Sequence, residues 1–308
     1  MRLVFAGTPA AAVPSLMALV QSAHEVTAVL TRPDARAGRG RKTVPSAVAE
    51  CARVQGIEVL QPPRVSDDDF LRRLSDIAPD CCPIVAYGGM IPPRALSIPR
   101  LGWVNLHFSL LPAWRGAAPV QHAVLRGDEM TGASTFLLDQ GLDTGPVFGS
   151  LTEEIRSSDT SGELLERLAV SGADLLLRTI DGIGRGDVAP VAQNVEGASL
   201  APKLTVEDAR VGWGSPALHI DRLIRACTPA PGAWTTFRGD RLKLQPIELV
   251  PLNSELAPGA LNISKADVMV GTGSHGVRLL HVQPQGKRPM AAADWARGVR
   301  IEPGELLV

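Results

Sequence analysis

The chain has 308 residues, of which 45% are hydrophobic, so it is long enough for one large domain or two domains with separate cores. The formal net charge is −1, and residues 203–308 carry 13 Lys and Arg against 10 Asp and Glu. Four cysteines form no CxxC pair and no disulfide framework, and no segment matches a signal peptide or a membrane span. These features exclude a disulfide-stapled secreted domain and favour a cytoplasmic protein.

The first part of the chain alternates short apolar runs with segments of helical periodicity. We predict strands at 3–6, 26–30, 59–60, 84–86 and 104–107, with helices at 11–22, 46–55 and 67–77. This alternation indicates an α/β fold with a mostly parallel, Rossmann-like sheet covered by helices. Ligands of such sheets collect outside the carboxyl ends of the strands.

The later part of the chain predicts a second, smaller domain. Further strands at 134–138 and 147–155 and a long helix at 161–181 complete the first domain. A connection without clear periodicity follows from about residue 182, so we place the domains at 1–204 and 205–308. The second domain is predicted to hold a helix at 217–226 and strands at 233–237, 242–249, 267–271 and 276–283, typical of a small antiparallel, OB-like β-barrel.

The most informative motif is Asn105-Leu106-His107. If these residues lie on a strand, Asn105 and His107 point to the same face, because side chains alternate along a strand. Asp143 lies in a separate turn between Gly141 and Gly145, and a carboxylate near an imidazole orients it and stabilises its charged form. An amide, an imidazole and a carboxylate together predict an acyl-transfer site, although Asn-x-His alone is also typical of a structural hydrogen-bond pair.

We predict structural rather than catalytic roles for the other aspartate, cysteine and histidine residues considered. Asp139 is predicted to cap a turn, and Cys81 with Cys82 lies in an apolar run typical of buried side chains. We assign an ordinary surface or core role to four histidines, His122, His219, His275 and His281.

At these motifs the chain resembles the methionyl-tRNA formyltransferases, and the likeness covers nearly its whole length. Segments that carry the resemblance are the opening Gly7-Thr8-Pro9 turn, Asn105-Leu106-His107, Ser109-Leu110-Leu111-Pro112, Gly141-Leu142-Asp143-Thr144-Gly145 and Pro231-Gly232-Ala233-Trp234-Thr235. The chain departs from the family pattern at Phe108, where proline is usual, and at Gln140, where glutamate is usual. Neither departure removes a candidate catalytic group.

The resemblance implies transfer of a formyl group from 10-formyltetrahydrofolate to methionyl initiator tRNA by a monomer that needs no metal. We assign Asn105 as the donor to the developing oxyanion and His107 as a second polariser and proton shuttle. Asp143 is expected to orient His107, to raise its pKa and to guide a water molecule.

Tetrahydrofolate is expected to lie across the segment after His107. The predicted contacts are Ser109, Leu110, Leu111 and Pro112, with Tyr87 and Gly88 bordering the same pocket. An ordinary turn is the alternative for the first four. Arg115 is interpreted as an anchor of its loop or as a contact for an anion.

Two basic regions are candidates for tRNA binding. The segment 32–42 holds five Lys and Arg against one Asp, and we select Arg39, Arg41 and Lys42 as phosphate contacts, with a solvated charged loop as the alternative. In the second domain the candidates are Arg238, Arg241, Lys243, Lys287 and Arg288, and Trp234 is predicted to be a core residue.

Two other functions remain open at this point. One is a folate-dependent formyltransferase that acts on a small amine, such as a purine precursor or an amino sugar nucleotide. The other is a protein that binds or hydrolyses formyl-folate. The first needs no basic clamp, whereas a tRNA-modifying enzyme does, and in the second the C-terminal domain would serve another partner.

Overall fold

The structure, a computed structural model, describes residues 1–37, 42–250, 256–302 and 304–308. The chain divides into two units. The first comprises residues 1–119, 130–154 and 165–201, and the second comprises 120–129, 155–164 and 202–308. The domain boundary placed near residue 205 stays a prediction.

The first unit is built on one large sheet. Its strands, in chain order, are β1 (Arg2–Gly7), β2 (Glu25–Leu30), β3 (Ala35–Ala37), β4 (Lys42–Val44), β5 (Glu58–Leu60), β6 (Cys82–Val85), β7 (Trp103–His107), β8 (Met130–Leu137) and β9 (Val147–Glu154). Strands β3 and β4 pair with each other in an antiparallel sheet of two strands, and the other seven form a sheet in the order β5-β2-β1-β6-β7-β8-β9.

Helices alternate with these strands along the chain. They are α1 (Val13–Val20), α2 (Ala47–Val54), α3 (Asp68–Ile77), α4 (Pro93–Leu96), α5 (Pro119–Arg126) and α6 (Ser161–Arg185). Helix α3 shows why these segments fold as they do. Asp68 and Asp69 in its first turn suit the helix dipole, Phe70 and Leu74 are buried on its apolar face, and Ala78 ends it in a left-handed conformation with φ +49°.

The sheet is parallel where the sequence predicts it. Strands β5, β2, β1, β6 and β7 run parallel, while β8 and β9 are antiparallel to their neighbours. Strand β1 is buried from Leu3 to Ala6, as expected for a strand covered on both faces. Because Val85 of β6 pairs with Leu106 of β7, the loops after these two strands leave the same edge of the sheet.

The second unit holds two antiparallel sheets around one core. Its strands are β10 (Trp234–Phe237), β11 (Asp240–Leu244), β12 (Ile247–Leu249), β13 (Leu261–Ile263), β14 (Val268–Val270), β15 (Val277–Leu279), β16 (His281–Pro284) and β17 (Met290–Ala291). The sheet orders are β10-β11-β16-β17 and β12-β15-β14-β13. Helices α7 (Ala217–Ala226) and α8 (Ala292–Val299) complete the unit, and its core includes Trp213, Trp234 and Trp295. The predicted fold class, a Rossmann-like domain followed by a β-barrel-like domain, is confirmed.

Several boundaries differ from the sequence prediction. The single strand expected at 242–249 is two strands in different sheets, because the chain leaves one ladder at Gln245-Pro246, where proline has no N–H to donate. Helix α6 continues past residue 181 to Arg185, and α8 has no counterpart in the prediction. None of the helices in the described part of the chain has both the length and the apolar composition needed to span a bilayer.

A buried ion pair on helix α7 offers a test of the second unit's stability. Arg225 Nε lies 2.8 Å from Asp221 Oδ2, Arg225 also donates to Asp159 O at 3.0 Å, and both members of the pair are 7% exposed. We expect Asp221→Ala to lower the free energy of unfolding by about 3–5 kcal/mol, since it leaves a buried guanidinium without its counter-ion. Urea denaturation followed by the fluorescence of the core tryptophans measures this change.

The first unit supplies a matched control. Asp174 and Arg178 form an ion pair with the same spacing on helix α6, but their side chains are 63% and 71% exposed. Asp174→Ala is therefore expected to cost less than about 1 kcal/mol. Equal effects of the two substitutions would contradict the difference in burial as the cause.

Candidate active site

Strand β7 places the amide and imidazole of the Asn-Leu-His motif on one face of the sheet. Asn105 is half-buried, and its carboxamide makes no hydrogen bond with any residue in the described ranges. His107 ends the strand and is 6% exposed. A free amide next to a buried imidazole leaves Asn105 available to a ligand.

Asp143 reaches this position from a separate turn. Its Oδ2 accepts a hydrogen bond from Gly116 N at 2.7 Å and lies 3.8 Å from His107 Nδ1. Asp143 has a left-handed backbone with φ +52°. The structure therefore brings together His107 and Asp143, which are 36 residues apart in the sequence.

The tight turn around Asp143 depends on its neighbours. A Cβ atom on Gly145 would lie 1.8 Å from Leu137 O, so only glycine fits this position. Asp139 accepts hydrogen bonds from Gly141 N and from the Thr144 hydroxyl, each at 2.9 Å. Asp139 thus caps the turn, as predicted.

The hydrogen bonds of His107 define its tautomer. Its Nε2 lies 2.9 Å from Trp114 O. A carbonyl oxygen only accepts hydrogen bonds, so Nε2 carries the hydrogen and Nδ1 keeps a free lone pair in the neutral ring. The nitrogen that can take up a proton is therefore the one that faces Asp143.

Burial decides the direction of the His107 pKa. Loss of solvent lowers the pKa of His107, while the charge of Asp143 and the hydrogen bond to Trp114 O raise it, and the effect of burial is the largest. Asp143 thus acts in the predicted direction, and burial opposes it with the larger effect. Burial therefore favours the neutral imidazole of His107, and protonation brings it an ion pair with Asp143.

The segment after His107 forms a closed turn. Ser109 is fully buried and its hydroxyl donates to Ala113 O at 2.6 Å. Ser134 on β8 donates to Ser109 O at 2.8 Å and accepts from Leu111 N at 3.1 Å. Ser109 shapes this turn, whereas Leu110, Leu111 and Pro112 remain partly exposed as an apolar wall.

The neighbouring loop after β6 lies at the same sheet edge. Tyr87 is 2% exposed and packs in the core, and Gly88 is exposed with φ +81°. Thr8 Oγ1 donates to Tyr87 O at 2.7 Å, which ties the opening Gly7-Thr8-Pro9 turn to this loop. Gly88 thus lies exposed at the sheet edge where the loop after His107 also begins, next to the buried Tyr87, and their contact with a ligand stays a prediction.

Three residues that motif reading missed hold these loops. Ser134 fastens the turn after His107, Gln193 bonds the Asp143 turn, and Ser199 bonds the backbone of Trp114. Arg115 donates to Gln193, so its interpretation as a loop anchor agrees with the structure. Gln193 and Ser199 lie in the segment predicted as a plain surface connection, and no sequence pattern marks them.

The basic candidates differ in how far they are already engaged. Arg39 and Arg41 lie outside the described residues, and Lys42 begins strand β4. Arg238 forms a two-fold ion pair with Glu305, at 2.6 and 2.7 Å, and also donates to two backbone carbonyls. Arg241 lies 3.9 Å from the centre of the Trp234 ring, and Trp234 is a buried core residue, as predicted.

Three other basic side chains are exposed and face no acidic partner within the described ranges. They are Lys243, Lys287 and Arg288. No group of three His, Cys, Asp or Glu side chains in the described parts of the chain is arranged to hold a metal ion.

Comparisons with known proteins place this site in a family. Residues 1–180 match the family model described as "Formyl transferase", and residues 203–300 match "Formyl transferase, C-terminal domain". The chain belongs to the formyl transferase family.

Within that family, the "Methionyl-tRNA formyltransferase" of Streptomyces griseus subsp. griseus is 65% identical over 310 residues, which cover 100% of this chain and 99% of that protein. The resemblance inferred from the motifs is thereby confirmed.

Solved structures share the fold at low sequence identity. "Methionyl-tRNA formyltransferase from Clostridium thermocellum" aligns with a TM-score of 0.57 and 16% identity, covering 81% of this chain and 94% of that one. HypX from Aquifex aeolicus, solved in complex with tetrahydrofolic acid, aligns with a TM-score of 0.66 and 17% identity. That alignment covers 96% of this chain, which spans about half of HypX, 46% of its length.

The net effect of burial and of Asp143 on the pKa of His107 can be measured by titration. We expect its imidazole to titrate below the ordinary value of about 6.5 in an NMR titration, because burial outweighs the neighbouring carboxylate. Asp143→Asn should lower the pKa of His107 further, since it removes a negative charge that favours the imidazolium. His107→Gln identifies the resonance, and an increase in the pKa of His107 in Asp143→Asn would contradict the assignment.

Proposed function

We propose that this protein transfers the formyl group of 10-formyltetrahydrofolate to the α-amino group of methionyl initiator tRNA. Identity of 65% over the whole chain with a methionyl-tRNA formyltransferase supports the choice of acceptor. The observation that carries the chemistry is the buried His107 with Asp143 3.8 Å from its free nitrogen. These two groups stand beside an unengaged carboxamide, that of Asn105.

The partly exposed apolar wall suits the formyl donor. Leu110, Leu111 and Pro112 offer apolar surface to the pterin ring, and the loop at Gly88 borders them across the sheet edge. Leu111 N already bonds Ser134, and Leu110 O accepts from Ala113 N, so these two backbone groups hold the turn. Contacts to the polar edge of the pterin therefore come from other groups at this edge.

When the amine attacks the formyl carbon, a negative charge develops on the carbonyl oxygen and a positive charge on the nitrogen, and residues of the site can stabilise the first and remove the second. The carbonyl oxygen becomes negative, and the carboxamide of Asn105 donates a hydrogen bond to it, a contact of a type worth about 3 kcal/mol. The attacking nitrogen becomes positive and must lose a proton. The free carboxamide meets the first need without breaking an existing hydrogen bond.

His107 provides the path for that proton. Its Nδ1 accepts the proton from the attacking amine, directly or through water, and the resulting imidazolium faces Asp143 Oδ2. When the carbon–N10 bond breaks, His107 returns the proton to N10 of the leaving tetrahydrofolate. One proton leaves the amine and one reaches N10, so the protein is unchanged after each turnover.

Binding of tRNA is assigned to the exposed basic side chains. Lys243, Lys287 and Arg288 are free to meet phosphates, and Arg39, Arg41 and Lys42 are the candidates in the first unit. Arg238 already forms an ion pair with Glu305, so we expect its substitution to affect mainly the structure of the second unit.

Formylation of charged initiator tRNA tests the proposal. The purified protein, 10-formyltetrahydrofolate and methionyl-tRNA should yield formylmethionyl-tRNA. We expect Asn105→Ala, His107→Ala and Asp143→Ala each to lower kcat by about 10²–10⁴-fold, because each removes a transition-state interaction.

An exposed histidine of the second unit serves as the control. His281→Ala removes an imidazole from the same protein and should leave the rate unchanged. Release of formate without tRNA would favour a hydrolase, and formylation of a small amine alone would favour a small-molecule enzyme. Wild-type rates in His107→Ala or Asp143→Ala would overturn the assigned roles.

The salt dependence of tRNA binding tests the basic residues. Filter binding across a salt series should show affinity that falls as salt rises, and Lys287→Ala should reduce the slope of log K against log salt by about 1. Lys265→Ala removes an equally exposed lysine outside the candidate set and should leave the slope unchanged. Equal slopes for the two variants would remove Lys287 from the tRNA contacts.

A further inference from the structure

Residues 193–201, here called the backing segment, lie behind the candidate active site. Most of its residues are exposed, as expected for a connection, but Gln193 and Ser199 are half-buried and Ala201 is fully buried. These three residues are the ones that bond the loops around His107. These three residues of the backing segment therefore face the protein interior, while most of the others face solvent.

Gln193 uses both ends of its amide on the site loops. Its Nε2 donates to Asp143 O at 2.8 Å and to Gly145 O at 2.7 Å, and its Oε1 accepts from Arg115 Nε at 3.1 Å and Nη2 at 2.6 Å. Arg115 precedes Gly116, whose N–H bonds the Asp143 carboxylate. The contacts close a ring in which Gln193 holds the backbone of Asp143 and Gly116 holds its side chain.

Ser199 and Ala201 hold the second partner of His107. Ser199 Oγ accepts from Trp114 N at 2.9 Å, and Ser199 O accepts from Arg115 N at 2.9 Å. Ala201 N donates to Arg115 O at 2.7 Å, so the backing segment pairs with the backbone on both sides of Arg115. The carbonyl of Trp114 that bonds His107 is fixed by these contacts.

Both partners of His107 have left-handed backbone conformations. Trp114 has φ +60° and Asp143 has φ +52°. This region is strained for a bulky residue such as Trp and is better tolerated by Asp. The hydrogen bonds of the backing segment therefore fall on the two residues whose unusual backbone conformations position His107's partners.

We infer that Gln193 is a positioning residue for formyl transfer, which holds the Asp143 carboxylate against His107 Nδ1, and that Ser199 does the same for Trp114 O. This inference rests on the proposed function. Within the described ranges the side-chain hydrogen bonds of Gln193 go to Asp143, Gly145 and Arg115 and not to His107, so its effect on the reaction is indirect, and the bond to the Asp143 backbone is the one that links it to a catalytic group. Its loss should therefore slow the chemical step and leave substrate binding unchanged.

The first experiment compares two adjacent amides. Gln193→Ala should lower kcat for formylation by about 30–100-fold, the loss expected when a catalytic group moves by about 1 Å. KM for 10-formyltetrahydrofolate and for methionyl-tRNA should stay within about two-fold. Asn194→Ala truncates the next, exposed amide and should retain the wild-type kcat. A wild-type kcat in Gln193→Ala, or an equal loss in Asn194→Ala, would overturn the inference.

A double-mutant cycle separates positioning from a general structural role. If Gln193 acts through Asp143, adding Gln193→Ala to Asp143→Ala should lower kcat by less than about two-fold. A multiplicative loss in the double variant would show that Gln193 acts elsewhere.

Gln193→Glu keeps the side-chain volume and the acceptor for Arg115 but removes both donors, so it repeats the test if Gln193→Ala does not fold. Asn194→Asp is its control for the added charge.

A measurement without substrate distinguishes this inference from the proposed function. Displacement of the Asp143 carboxylate removes the charge that raises the pKa of His107, so Gln193→Ala should lower that pKa in an NMR titration, as Asp143→Asn does. An unchanged pKa of His107 in Gln193→Ala would overturn the positioning role. Absence of formylation by the wild-type protein would instead overturn the proposed function and leave the titration result valid.

Discussion

One hydrogen bond joins the two halves of the candidate site, from Gly116 N to Asp143 Oδ2. It connects the loop after β7 with the turn between β8 and β9, and His107 lies against both. Since burial lowers the pKa of His107 and the charge of Asp143 raises it, the ring is suited to take a proton and later release it. The rest of the first unit serves to hold these loops at one edge of the sheet.

Much of this architecture is encoded locally and was therefore predictable. Buried parallel strands such as β1 are continuous apolar runs, and alternation along β7 puts Asn105 and His107 on one face whatever the surroundings. Glycines on either side of Asp143 mark a tight turn in the sequence. Helix α8 escaped prediction because it follows directly on the two-residue strand β17 and carries Gly298 near its end, which obscures both helix boundaries.

What the sequence did not show depends on contacts between distant residues. Gln193 bonds a residue 50 positions away and Ser199 one 85 positions away, and such pairs leave no periodic pattern. The net direction of the His107 pKa likewise depends on how completely the surrounding chain excludes water, which the sequence does not show, whereas the upward effect of the carboxylate was predicted correctly. The burial of Ser109 is a further example, because it depends on the hydrogen bond from Ser134, a residue distant in the sequence.

The left-handed conformations of Trp114 and Asp143 also limit how this active site can be transplanted. An engineer who grafts only the two loops that carry the site motifs onto another scaffold would move these left-handed residues and leave their anchors behind. The smallest portable unit includes residues 193–201 as well, although they share no motif with those loops. Chimeras among formyl transferases should accordingly be cut after Ala201.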